Sequence, residues 1–72
     1  MDFERAQRLW RDRLGFDDSA KYPSETRFLR LARLENRIYA AFWTPRGDAV
    51  LLISVRLATQ REVRQYYERN RR

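Results

Sequence analysis

Residues 26–58 read TRFLRLARLENRIYAAFWTPRGDAVLLISVRLA, three apolar runs divided by two groups of turn residues. Stretches 26–34, 37–44 and 49–57 are rich in Leu, Ile, Val, Phe, Tyr and Trp, and each is about one strand long. Glu35-Asn36 and Pro45-Arg46-Gly47-Asp48 separate them, and both are of hairpin length. An antiparallel three-stranded meander is expected. Its middle strand sets Ile38, Ala40 and Phe42 on one face and Tyr39, Ala41 and Trp43 on the other, while AVLLISVRLA in the third does not alternate. Both faces therefore ask for cover.

Working outward, residues 2–14 place Phe3, Ala6, Leu9, Trp10 and Leu14 at helical spacing, with arginines elsewhere on the wheel. Asp2 suits the N-cap of this helix, and Gly15 suits the left-handed position after its end. Residues 16–25, FDDSAKYPSE, read as a loop holding at most one helical turn, because Pro23 forces Tyr22 away from helix. On the C-terminal side, Thr59 opens a capping box with Glu62, and Val63, Tyr66 and Tyr67 recur at helical spacing to about Asn70. The order helix, three-stranded antiparallel meander, helix makes an α+β fold, in one domain over residues 1–72. Two short helices are expected to cover one face of the sheet, which leaves the other as a ligand groove or a protein interface. Tyr39 and Trp43 are the interface candidates.

Composition narrows the chemistry. Seventy-two residues with 43% apolar and 36% charged side chains form a small globular domain of marginal stability, for which association is one remedy. With no Cys and no His, cysteine nucleophiles, disulfides, histidine acid/base catalysis and the usual zinc sites are all excluded. No cofactor is called for. The net charge is +6, and Lys21 is the only basic residue that is not arginine. The guanidinium fork matches phosphate in a bidentate way, so the bias fits a phosphate-bearing or carboxylate-rich partner. No apolar run is long enough to span a membrane, and the N-terminus lacks the order of a signal peptide, so a cytoplasmic protein with no membrane partner is expected.

Arg56 at the end of the third strand, Arg61 in the first turn of the last helix and Arg46 at the preceding hairpin are expected to converge near one sheet edge, where helix N-terminal amides also favour an anion. The alternative is a set of solvated surface arginines. Glu62 has the chemistry of a general base, with Tyr66 or Tyr67 as donor, yet a capping box needs the same Glu and a core-facing helix the same tyrosines. Arg37, Tyr39 and Trp43 on one strand suit the stacking of unpaired bases, and suit core packing equally well.

Residues 53–62, ISVRLATQRE, followed by Tyr66, resemble the C-terminal signature of the BrnT toxins, a RelE/ParE-like family of type II toxin-antitoxin systems. Arg27-Phe28, Thr44, Arg46 and Gly47 match the pattern upstream of that signature. The resemblance implies a minimal RelE/ParE-like fold and a ribonuclease that cleaves RNA by transesterification and is neutralised by an antitoxin. By carry-over, Arg56, Glu62 and Tyr66 are the catalytic candidates, and Arg46 and Arg61 the candidates for binding RNA phosphate. The chain departs from the family at Leu14, Leu51 and Leu57, where the family has polar residues. Those leucines favour an alternative of another class: a non-catalytic binding module on the toxin scaffold, such as a phage-borne antagonist of a host nucleoprotein complex. A third reading is a homo-oligomer formed through an exposed sheet face.

Overall fold

The computed structural model describes residues 1–21 and 26–70, the side chains of residues 20 and 21 excepted. Helix α1, Phe3–Gln7, runs into a 3-10 turn at Arg8–Arg11. Strands β1 (Phe16–Lys21), β2 (Thr26–Leu34), β3 (Arg37–Arg46) and β4 (Ala49–Leu57) follow, and helix α2, Gln60–Arg69, closes the order. The four strands make one antiparallel sheet in sequence order.

The expected α+β class holds, with four strands in place of three. The additional strand lies in the segment read as a loop. Residues 16–21 carry two aspartates and no alternation, so their pairing rests on backbone and on partners in β2, from Phe16 opposite Leu31 to Lys21 opposite Thr26. The rest of that expected loop, Tyr22 with Pro23 through residue 25, lies outside the described residues, as do Arg71 and Arg72 beyond α2.

Two turns set the registers. Glu35 and Asn36 hold φ of 51° and 66°, the two left-handed residues that a tight hairpin between right-twisted strands requires. At the other end Arg46 pairs with Ala49, so the turn is Gly47-Asp48 alone, with Gly47 at φ 60°. Pro45 is therefore a strand residue opposite Val50, and not part of the turn. A bulge between Phe42 and Trp43 in the β3–β4 register lets Ser54 and Leu52 flank one extra residue, Ile53.

The helices do not share a face, contrary to expectation. Leu9 of the 3-10 turn packs on Ala32, Leu34 and Ala41, with Trp10, Tyr39, Leu52 and Val55 around them. Tyr66 of α2 packs on Leu31, Ile38 and Ala40, with Phe16, Leu29, Ala58 and Val63 at the margin. The fully buried alanines 32, 40 and 41 leave room for one large side chain on each side of the sheet. Leu9, Leu31 and Tyr66 are the largest fully buried side chains, and each contributes on the order of 1.5–3 kcal/mol by leaving water.

The first helix is shorter than the expected 2–14, because Asp12 leaves the helical region and ties the chain to the rim of β2. Its carboxylate accepts hydrogen bonds from the Leu14 amide (3.0 Å), the Arg33 amide (2.7 Å) and the Tyr66 hydroxyl (2.6 Å). Gly15 follows, without a positive φ. What it supplies is space: a Cβ there would lie 2.7 Å from an Arg30 guanidinium nitrogen. With one short helical element per face, β4 keeps Val50, Leu51, Ile53 and Leu57 exposed. Among the described residues no helix is long and apolar enough to cross a membrane.

Candidate functional site

The β3–β4 register places Arg56 opposite Ala40 and Ser54 opposite Phe42. Ala40 packs beneath Tyr66, so Arg56 stands on the same face as α2. The Ala58 amide donates to the Ile38 carbonyl at 3.0 Å and ends the strand. Thr59 then caps α2 from an extended conformation. Because only residues 58 and 59 separate strand from helix, the first turn of α2 returns directly over the end of β4.

This brings Arg56 and Glu62 together. The guanidinium donates two parallel hydrogen bonds to the carboxylate, at 2.6 and 3.1 Å, and a longer one to the Leu57 carbonyl at 3.3 Å. Its carbon lies 5.5 Å from the centre of the Phe42 ring. Glu62 also accepts from the Thr59 amide at 2.9 Å, while its own amide donates to the Thr59 hydroxyl at 3.2 Å, completing the capping box. The carboxylate is thus a cap and an ion-pair partner at once. The Glu62 side chain is 13% exposed and that of Arg56 45%, so the cation is the reachable member. The Arg56 hydrogen bond, above all, holds the Glu62 carboxyl below its ordinary range, against the opposing effect of burial. The same hydrogen bond raises the Arg56 pKa.

The other expected members are placed elsewhere. Tyr66 is 1% exposed and its hydroxyl donates to Asp12. Burial first, and then that hydrogen bond, push its pKa far up, so the phenol keeps its proton. Arg46 stands at the opposite end of the sheet. It is six residues along β3 from Ala40, which is about 20 Å at the usual rise of a strand, so it does not converge with Arg56. Hairpin tip and strand end must lie at opposite ends in a meander, which sequence proximity conceals. Arg61 is exposed on the first turn of α2, and makes no ion pair among the described residues. Of the helix-terminal amides expected to favour an anion, those of Thr59 and Glu62 are engaged by the capping box. Tyr67 is exposed, with its ring edge-on to Tyr66.

Tyr39 and Trp43 are half-buried on the opposite face. Trp43 stacks on Phe28 at 4.6 Å, meets the edge of Trp10 at 6.2 Å and donates from Nε1 to Asp17 at 2.9 Å. That aspartate belongs to a second arginine centre, which the sequence reading did not foresee. Arg30, only 7% exposed, donates to Asp17 at 2.8 Å, to the Leu9 carbonyl at 3.2 Å and to the Asp12 carbonyl at 3.1 Å, with Trp10 beside it at 5.5 Å. The signal was present in the small residues Gly15, Ala32 and Ala41, and in an arginine that shares one face of β2 with Phe28, Ala32 and Leu34. Among the described residues no group of His, Cys, Asp or Glu is arranged to hold a metal ion.

Residues 1–62 fit the model of a family described as the ribonuclease toxin BrnT of type II toxin-antitoxin systems. The matched segment takes in Arg56 and Glu62 and stops before Tyr66. No curated protein and no solved structure matches the chain.

Proposed function

Since the chain belongs to the BrnT family of type II toxin-antitoxin ribonucleases, we propose that it cleaves RNA at the Arg56–Glu62 pair and is neutralised by an antitoxin. The carrying observation is that bidentate pair at 2.6 and 3.1 Å, with its cation exposed beside Phe42 on a sheet face that α2 covers only in part. A carboxylate and a phosphate offer a guanidinium the same two-oxygen edge, so a site built for one accepts the other.

In this reading the ribose 2′-hydroxyl attacks the adjacent phosphorus, the 5′ oxygen leaves, and a 2′,3′-cyclic phosphate forms. Arg56 neutralises the charge that grows on the non-bridging oxygens. Glu62 takes the proton from the 2′-hydroxyl, and water returns one to the departing oxygen. Tyr66 has a structural part through Asp12, Arg61 adds local positive charge, and Arg46 stands outside the site. The test is cleavage of a single-stranded RNA by wild type and Arg56→Ala, each checked for its melting temperature. Loss of one charge-stabilising donor lowers the rate by about 10²–10³-fold. A folded wild type that cuts no RNA, or an Arg56→Ala variant that cuts as fast, overturns the enzyme reading.

A second reading has a specific observation in its favour. Leu14, Leu51 and Leu57, at positions where the BrnT pattern is polar, are all exposed. A non-catalytic module would use Leu51 and Leu57 to hold a protein partner along β4, with Tyr39, paired with Leu57, extending that surface, while Leu14 precedes β1 at the other edge of the sheet. Trp43 is already engaged by Trp10, Phe28 and Asp17. Tight RNA or protein binding without cleavage selects this reading.

A further inference from the structure

In the free protein the fork of Arg56 is occupied. Two of its terminal N–H groups meet the two oxygens of Glu62, and the geometry is that of guanidinium and phosphate. An RNA phosphate therefore does not find an empty cation; it finds one already holding an anion. We propose that Glu62 is an internal competitor for the Arg56 fork, and that RNA binds by displacing its carboxylate. This rests on the reading of Arg56 as the phosphate-binding residue.

Three features make the exchange inexpensive and directional. The Arg56 side chain is 45% exposed, and ion pairs open to water are weak, so the contact yields easily. Glu62 has a second anchor in the Thr59 amide at 2.9 Å, so the displaced carboxylate stays beside the incoming phosphate. Arg56 has a second anchor too, in the Leu57 carbonyl and the nearby Phe42 ring, so the guanidinium keeps its place when its partner leaves. Displacement also removes the largest influence that holds the Glu62 carboxyl below its ordinary range. The carboxylate becomes more basic when a phosphate arrives, and the pair joins substrate binding to activation of the base.

The competitor role differs measurably from a cap or a base. A cap that is only structural leaves RNA affinity unchanged when its charge is removed but its hydrogen bond kept. A base that never contacts the binding cation loses rate without gaining affinity. The experiment is binding of a labelled single-stranded RNA, 2′-O-methylated so that it cannot be cut, over a series of salt concentrations. The proteins are wild type, Glu62→Gln, Glu62→Ala, Arg56→Ala, the Arg56→Ala/Glu62→Gln pair, and Glu68→Gln as an equal change of charge elsewhere on α2. Glutamine keeps an acceptor for the Thr59 amide; alanine frees Arg56 by a second route.

Both Glu62 variants should bind about two- to fivefold tighter than wild type, the range set by a solvent-exposed ion pair. Their log–log salt slope should equal that of wild type, since RNA holds the Arg56 fork in each once the carboxylate has left, whereas Arg56→Ala should lose about 0.7, one phosphate contact on a single strand. Glu68→Gln should bind like wild type, and the double variant like Arg56→Ala. If Glu62→Gln binds like wild type while Arg56→Ala binds more weakly, the competitor is overturned and the Arg56 assignment stands. Equal tightening by Glu68→Gln also overturns it, as an effect of net charge. If no protein in the set binds RNA, the underlying site reading fails and the competitor with it.

Discussion

Of the arginine–carboxylate pairs among the described residues, Arg30–Asp17 and Arg56–Glu62 lie on opposite faces of one sheet. Arg30 is enclosed, and its partners are an aspartate and two main-chain carbonyls. Arg56 is half open to water, and its partner is the capping glutamate of α2. The difference lies in what each guanidinium would leave behind. Removing Arg30 takes the cation from Asp17 and the donor from two main-chain carbonyls at once; removing Arg56 leaves Glu62 with its cap. Arg30 is thus committed to architecture, and Arg56 is available for exchange.

The largest expected effect separates them by stability. Arg30→Met should cost about 3–5 kcal/mol, because three hydrogen bonds from one charged, buried donor are lost together. That is comparable with the whole stability of so small a domain. Thermal unfolding should lose its cooperative step, whereas Arg56→Ala should shift stability by no more than about 1 kcal/mol. Equal losses at the two sites would erase the distinction.

Next in size is Gly15→Ala. The added Cβ would meet an Arg30 nitrogen at 2.7 Å and the guanidinium carbon at 3.0 Å, and three hydrogen bonds keep that group from moving aside. A loss of about 1–3 kcal/mol is expected from overpacking, lowering the melting temperature by about 4–8 °C per kcal/mol. An unchanged melting curve would mean that Arg30 is looser than its contacts imply.

The Asp12–Tyr66 contact gives a pH-dependent effect. Burial raises the Asp12 carboxyl, but the hydrogen bonds from Tyr66, Arg33 and Leu14 together outweigh it and hold the pKa below its ordinary 3.8. A lowered acid pKa gives stability that is present above the ordinary value and lost as pH falls through the folded one. The Tyr66 phenol, raised from 10.0 by burial and by Asp12, behaves in the opposite sense: its contribution is present below pH 10 and fades as pH climbs further. Tyr66→Phe should therefore lower the melting temperature at neutral pH by the equivalent of about 1–2 kcal/mol. It should also flatten both the acid and the alkaline limb of the profile. Limbs as steep as in wild type would place the titrating contact elsewhere.

Smallest is Arg46→Ala. The residue is exposed at the far hairpin, so stability should change by less than about 0.5 kcal/mol. RNA cleavage should stay at the wild-type rate, because about 20 Å separates this side of the sheet from Arg56. A loss like that of Arg56→Ala would show that RNA runs along the whole sheet.

What the sequence disclosed follows from how local each signal is. The bounds of β2, β4 and α2, with its capping box, were legible because apolar runs, turn residues and the Thr59–Glu62 spacing act within a few positions. Strand β1 was not, since FDDSAK becomes a strand only by pairing with β2 and by lending Asp17 to Arg30. The pairing of Arg56 with Glu62 was within reach, because only a short link joins strand and helix. The separation of Arg46 from Arg56 was not, because it depends on which end of the meander each occupies. Tyr66 was read as a catalytic candidate or as a core-facing residue of the helix, and it is buried, but its partner, Asp12, lies 54 positions away. No local pattern encodes that contact.

If Arg56 is the arginine that RNA reaches, the side-chain Nε–Hε signals of the arginines report it directly. With the 2′-O-methylated single-stranded RNA titrated into nitrogen-15-labelled protein, the Arg56 signal should move progressively, and that of Arg30 should stay fixed. Assignment by Arg56→Lys and Arg30→Lys removes one signal at a time. A shift at Arg46 with none at Arg56, or RNA bound with the Arg56 signal unmoved, would contradict the account.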